Sequence, residues 1–132
     1  MRAVALAVLL CACQRSPAEL QPIERPREAA RALVACAVDD GPVGSERDAQ
    51  RRFEAALRRE IVRDRLRFAV RAGRCESSLP VSLQRRSEAV RTLAEAWRAL
   101  LPLIQQESLS EIALEQCIRR IGNAWRLASH TP

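Results

Sequence analysis

Residues 82–104 read SLQRRSEAVRTLAEAWRALLPLI, and this stretch decides the fold. Leu83, Val90, Leu93, Ala94, Trp97, Leu100, Leu101 and Ile104 recur in it at three- and four-residue spacing. That period places them along one side of an α-helix, with arginines and glutamates on the other. Pro102 falls inside the stretch, but the stripe runs on to Ile104. The spacing therefore predicts a kink at the proline and not a stop.

The same pattern extends in both directions. Residues 105–108 turn the chain, and Ser108 or Ser110 is placed to cap a last helix. Its stripe is Leu114, Cys117, Ile118, Ile121, Trp125 and Ala128. Gly122 and Asn123 interrupt helix propensity there, so either another helix crosses closely at Gly122 or the last turn frays. Upstream, residues 75–80 read as a loop. Before them a long helix is expected from the N-cap Ser45 to Ala72, with Gly73 as its terminating glycine. Ala49, Phe53, Leu57 and Ile61 form a stripe in its first half. Val62, Leu66, Phe68 and Val70 are spread more loosely around its second half. An Ala-rich short helix is expected over residues 27–38, stopped by Asp39-Asp40-Gly41-Pro42.

Composition agrees with this reading. Ala, Leu, Arg and Glu dominate, all strong helix formers. Apolar residues make up 48% of the chain, and 132 residues suffice for one domain. No internal repeat is visible. The expectation is an all-α fold with one helical domain over residues 28–130. Its form is a small up-and-down bundle of three long helices plus one short helix. Many of its core positions are Ala, which lets helices approach closely but buries little area per residue.

The first residues carry a different signal. Met1-Arg2 is a minimal positive start, and residues 3–10 are short, uncharged and apolar. Such a run is too short for a hydrocarbon core that needs ~20 residues, and reads as a signal peptide over residues 1–12. Leu10-Cys11-Ala12-Cys13 resembles the lipobox of bacterial lipoproteins. That resemblance implies cleavage before Cys13 and lipidation of Cys13, which anchors the chain to a membrane. Gln14 after the cysteine, by resemblance to the sorting pattern, implies the outer membrane, facing the periplasm. Residues 13–27 then form the lipidated cysteine and a tether rich in proline (Pro17, Pro22, Pro26). Extended, such a tether reaches roughly 40 Å at ~3.1 Å per residue.

Charge is unevenly placed. All 22 basic residues are Arg. Residues 45–57 hold three of each sign, whereas residues 58–74 hold seven Arg against Glu60 and Asp64, an excess of +5. Arg59, Arg63, Arg67 and Arg71 lie at i, i+4, i+8 and i+12, one above another on a helix. They are the candidate docking strip for an anionic partner. The competing reading is a solvated face laced by local salt bridges. In an exported protein the anionic candidates are lipid headgroups, envelope glycans or an acidic protein surface. No aromatic interleaves with the arginines, so a base-stacking platform is not expected.

After cleavage Cys36, Cys75 and Cys117 remain in a compartment where disulfides persist. Three allows at most one bridge within the chain. In an antiparallel bundle Cys36 and Cys117 lie toward one end, with Cys75 at the other. Cys36–Cys117 is the first candidate pair, ahead of a pair with Cys75 or no bridge. Trp97 and Trp125 sit on apolar stripes and read as core. His130 is the sole His and stands near the end, which supports neither a triad nor a metal site. No motif implies a cofactor, a metal, a small-molecule substrate or catalysis.

These readings lead to a non-enzymatic, lipid-anchored envelope adaptor that docks through a helical face. One alternative is a lipoprotein binding anionic lipid or glycan through the Arg strip. Another, should the N-terminus not be a signal, is a cytosolic basic helical module binding nucleic acid.

Overall fold

The computed structural model describes residues 22–39 and 47–132. Among these the chain is all-helical. It comprises α1 (Pro26–Ala37), α2 (Arg47–Arg63), α3 (Arg65–Arg74), a 3-10 turn (Cys75–Ser78), α4 (Val81–Arg86), α5 (Glu88–Ile104) and α6 (Glu111–Ser129). Cys13, the lipobox and most of the tether lie outside the described residues, as do Ser45 and Asp40-Gly41-Pro42.

The fold class agrees with the sequence, but the layout of three long helices and one short one does not. Two of the expected long helices are cut, each at a residue whose side chain caps the next helix. Asp64 takes extended dihedrals (φ −157°, ψ 93°), and its carboxylate accepts from the Arg67 N–H at 3.1 Å. This divides the expected helix over 45–72 into α2 and α3. Ser87 does the same between α4 and α5, accepting from the Val90 N–H at 3.3 Å. Short polar side chains compete with the helix for backbone donors, so each cut satisfies a donor at the start of the following helix. Ser110 caps α6 in the same way, through the Ala113 N–H. Pro26 opens α1, where a missing N–H is harmless, so the helical region begins before residue 28. Gly73 does not end its helix. It lies inside α3, which runs to Arg74 and tightens into the 3-10 turn. Pro102 is exposed and α5 continues through it to Ile104.

α6 is the element the others gather on, packing against α5, α2 and α1. α3 and α4 pack on α5, and the 3-10 turn packs on α1. The two tryptophans tie these pairs together. Trp125 donates from Nε1 to the Ala30 carbonyl at 3.0 Å and stacks obliquely on Phe53, joining α6, α1 and α2. Trp97 donates from Nε1 to the Ala72 carbonyl at 2.9 Å and meets Phe68 edge-on, joining α5 and α3. Ala72 lies in the last turn of α3, whose carbonyls lack partners within the helix. At Gly122 the sequence left two outcomes open, and close crossing is the one found. The Glu54 side chain of α2 lies over this glycine, and a Cβ there would stand 2.6 Å from a Glu54 carboxylate oxygen.

The expected Cys36–Cys117 bridge is replaced by Cys36–Cys75, with Cα atoms 5.6 Å apart. Sequence reasoning placed Cys75 at the far end of an unbroken helix. The cut at Asp64 and the 3-10 turn bring it back beside the end of α1. Cys117 is a buried free thiol against the Ala96 carbonyl, and burial pushes its pKa up. A bridge spanning 39 residues restricts the unfolded chain substantially. Replacing both Cys36 and Cys75 by Ser is expected to lower unfolding free energy by about 3–4 kcal/mol in urea titration. Non-reducing peptide mapping should recover the two residues in one linked peptide, with Cys117 alkylated only after denaturation.

Candidate functional site

The kink at Asp64 reorganises the arginine strip. Arg63, Arg67 and Arg71 still face one hollow, of about 460 Å³, joined by Arg74. Arg59 is exposed but stands outside it. Three carboxylates, Asp39, Glu60 and Asp64, line the same hollow, so its net charge is far smaller than the linear count suggests.

The four candidate arginines are not equivalent. Arg71 is turned inward. Its Nε donates to the Cys36 carbonyl at 2.8 Å and its guanidinium pairs with Asp39 at 2.9 Å and with Glu60 at 3.8 Å. These contacts hold the end of α1 beside the disulfide and set Arg71 apart from the other three. Arg59, Arg63 and Arg67 are exposed, with no ion pair among the described residues.

Beside these three runs a feature that periodicity left unplaced. Val62, Leu66 and Val70 are 76%, 70% and 64% exposed, at successive four-residue steps. Of the loosely spread apolar residues in this segment, only Phe68 turns into the core. Val62 and Leu66 directly precede the exposed Arg63 and Arg67, and Val70 precedes the inward-turned Arg71, so residues 59–70 interleave exposed aliphatics with cations on both sides of the cut. Isolated exposed aliphatics are ordinary on a surface, but here three fall within nine residues, Val62 at the end of α2 and Leu66 and Val70 on α3.

A second basic region was missed altogether. Arg47 and Arg51 of α2 and Arg119 and Arg126 of α6 line one hollow of about 540 Å³. Along the chain Arg47 and Arg51 fall in residues 45–57, with three of each sign, and Arg119 and Arg126 fall in α6, with three Arg against two Glu, so a linear count marks neither pair. The packing of α2 on α6 brings them together. The spacing of each pair, four residues on α2 and seven on α6, was the available signal, but it needed the helix pairing to become meaningful. Glu54 also lines this hollow, as does the Arg58–Glu115 pair, which bridges α2 and α6 through both guanidinium arms.

Hydrogen bonding from Arg58 holds the Glu115 carboxyl below its usual range, and the same bond raises Arg58. A depressed carboxyl stabilises the fold above the unfolded-state pKa, and this contribution fades as pH falls through the folded-state value. Glu115→Gln is therefore expected to flatten the acid side of a plot of stability against pH, measured by urea titration between pH 3 and 7. An acid limb as steep as that of the parent chain would show that Glu115 does not contribute to it.

Among the described residues no group of three or more His, Cys, Asp or Glu could hold a metal ion. No described helix is long and apolar enough to cross a membrane. No family model matches the chain, and no curated protein and no solved structure matches it.

Proposed function

We propose that this protein is a non-enzymatic adaptor of the bacterial envelope, anchored by lipid on Cys13, that docks residues 59–70 on an acidic, amphipathic protein surface. The observation that carries the reading is the exposed line of Val62, Leu66 and Val70 beside Arg59, Arg63 and Arg67. Apolar side chains displaced from water supply the association energy, and the flanking cations supply orientation and speed of encounter.

One further observation favours a protein partner over a bilayer. Helices that lie in a membrane interface commonly insert Trp or Phe. Here Trp97, Trp125, Phe53 and Phe68 are all buried, and the chain has no Tyr. The docking face thus offers short aliphatics alone, and large anchoring side chains would come from the partner.

The anchor and the face are tested separately. Metabolic palmitate labelling should vanish in Cys13→Ser, and a cytosolic, unlabelled parent chain would sink the envelope reading. A photoreactive residue at position 66 should give one discrete protein adduct in intact envelopes. That adduct should fall at least fivefold when Arg63 and Arg67 become Gln, and weaken with added salt. Adducts confined to lipid would reassign the face to the bilayer, and an adduct indifferent to both arginines would remove charge from the recognition.

A further inference from the structure

The hollow between α2 and α6 has a composition distinct from a solvated charged face. Arg47 and Arg51 are one turn apart on α2, and Arg119 and Arg126 two turns apart on α6, so each helix turns both its guanidiniums to the same space. None of the four has a carboxylate within ion-pair distance among the described residues. Arg58 and Glu115 answer each other, which leaves four cations and Glu54 facing the hollow. A dianion balances that excess better than a single carboxylate does, and guanidinium forks match phosphate oxygens in geometry.

A second observation specifies more than charge. Gln50 lines the hollow and is only 8% exposed. Its Nε2 donates to Asn123 Oδ1 at 2.8 Å, and its Oε1 has no partner. Buried amide oxygens are ordinarily satisfied, so this one stands out. A phosphate dianion has no proton to offer it. A hydroxyl does, and would serve equally if the amide were turned over, since it both donates and accepts. Glu54, kept close to α6 by the missing side chain at Gly122, is a second acceptor for a hydroxyl. No aromatic lines the hollow, which argues against a nucleobase.

We propose that this hollow binds a phosphate monoester carried on a hydroxylated group, the chemistry of a sugar phosphate. Its volume of about 540 Å³ falls within the ~300–1,000 Å³ of small-molecule sites. The site is separate from the docking face at residues 59–70, and it does not depend on that face being an interface.

Calorimetric titration of the purified full chain tests the assignment, with glucose 6-phosphate, glucose and inorganic phosphate as probes and glycerophosphoglycerol as a diester headgroup. Glucose 6-phosphate is expected to bind at least tenfold tighter than the other three. Arg119→Gln with Arg126→Gln, both on the surface side of α6, should weaken it at least tenfold. Gln50→Met should reduce it to the level of inorganic phosphate, and if that variant does not fold, the arginine pair carries the test alone. Val62, Leu66 and Val70 all changed to Ser should leave the titration unaltered, so failure here and failure of the docking reading are told apart. Glucose 6-phosphate binding no tighter than inorganic phosphate, binding undiminished in the arginine variant, or tighter binding of the diester would each overturn the proposal.

Discussion

The covalent tie between Cys36 and Cys75 is the constraint on which the other contacts depend. Among the described residues, eleven of the 31 buried hydrophobic residues are Ala, including Ala29, Ala30, Ala37, Ala72 and Ala128, and these positions bring helices close but remove little apolar area per residue from water. The disulfide offsets part of that deficit by limiting the unfolded chain. It also fixes the end of α1 against the turn after α3. Arg71 reinforces the same junction from α3, reaching the Cys36 carbonyl and Asp39. With that end closed, Trp97 can supply the Ala72 carbonyl with its missing donor, and Phe68 can pack on the indole.

The closed junction also determines what is left outside. An unbroken helix over residues 47–74 could not have brought Cys75 back to α1. The cut at Asp64 lets α3 turn, and it turns Phe68, Ala69 and Ala72 inward. Val62, Leu66 and Val70 are thereby left in solvent, next to Arg59, Arg63 and Arg67. On α3 the exposed Leu66 and Val70 and the buried Phe68, Ala69 and Ala72 are two sides of one short helix, while Val62 stands at the end of α2. Arg71 belongs to the inner side although its spacing groups it with the strip.

Helical class, the core stripes of α5 and α6, and the burial of both tryptophans were legible because long amphipathic periods are strong signals. The cuts at Asp64 and Ser87 were not. Asp and Ser cap helices well, yet each sits within a run whose period continues on both sides, and periodicity is blind to a change of axis. The disulfide was misassigned for that reason alone, since the location of Cys75 followed from an unbroken helix. The arginine row was partly visible: Arg63, Arg67 and Arg71 meet at one hollow, although the extended Asp64 breaks the helical phase and Arg59 stands outside. Its apolar flank was not, because exposure depends on what α3 packs against. The hollow at Gln50 was hidden more deeply. Its arginines come from segments some seventy residues apart, neither of which stands out by linear charge count.

Docking through residues 59–70 requires that this face be covered in the envelope. Hydroxyl-radical footprinting compares the full chain in intact envelopes with the purified chain, side chain by side chain. Docking through this face predicts that oxidation of Val62, Leu66 and Val70 drops several-fold in envelopes, while exposed Ile112 and Leu127 of α6 stay as reactive as in the purified protein. Equal reactivity of Val62, Leu66 and Val70 in the two preparations would contradict it.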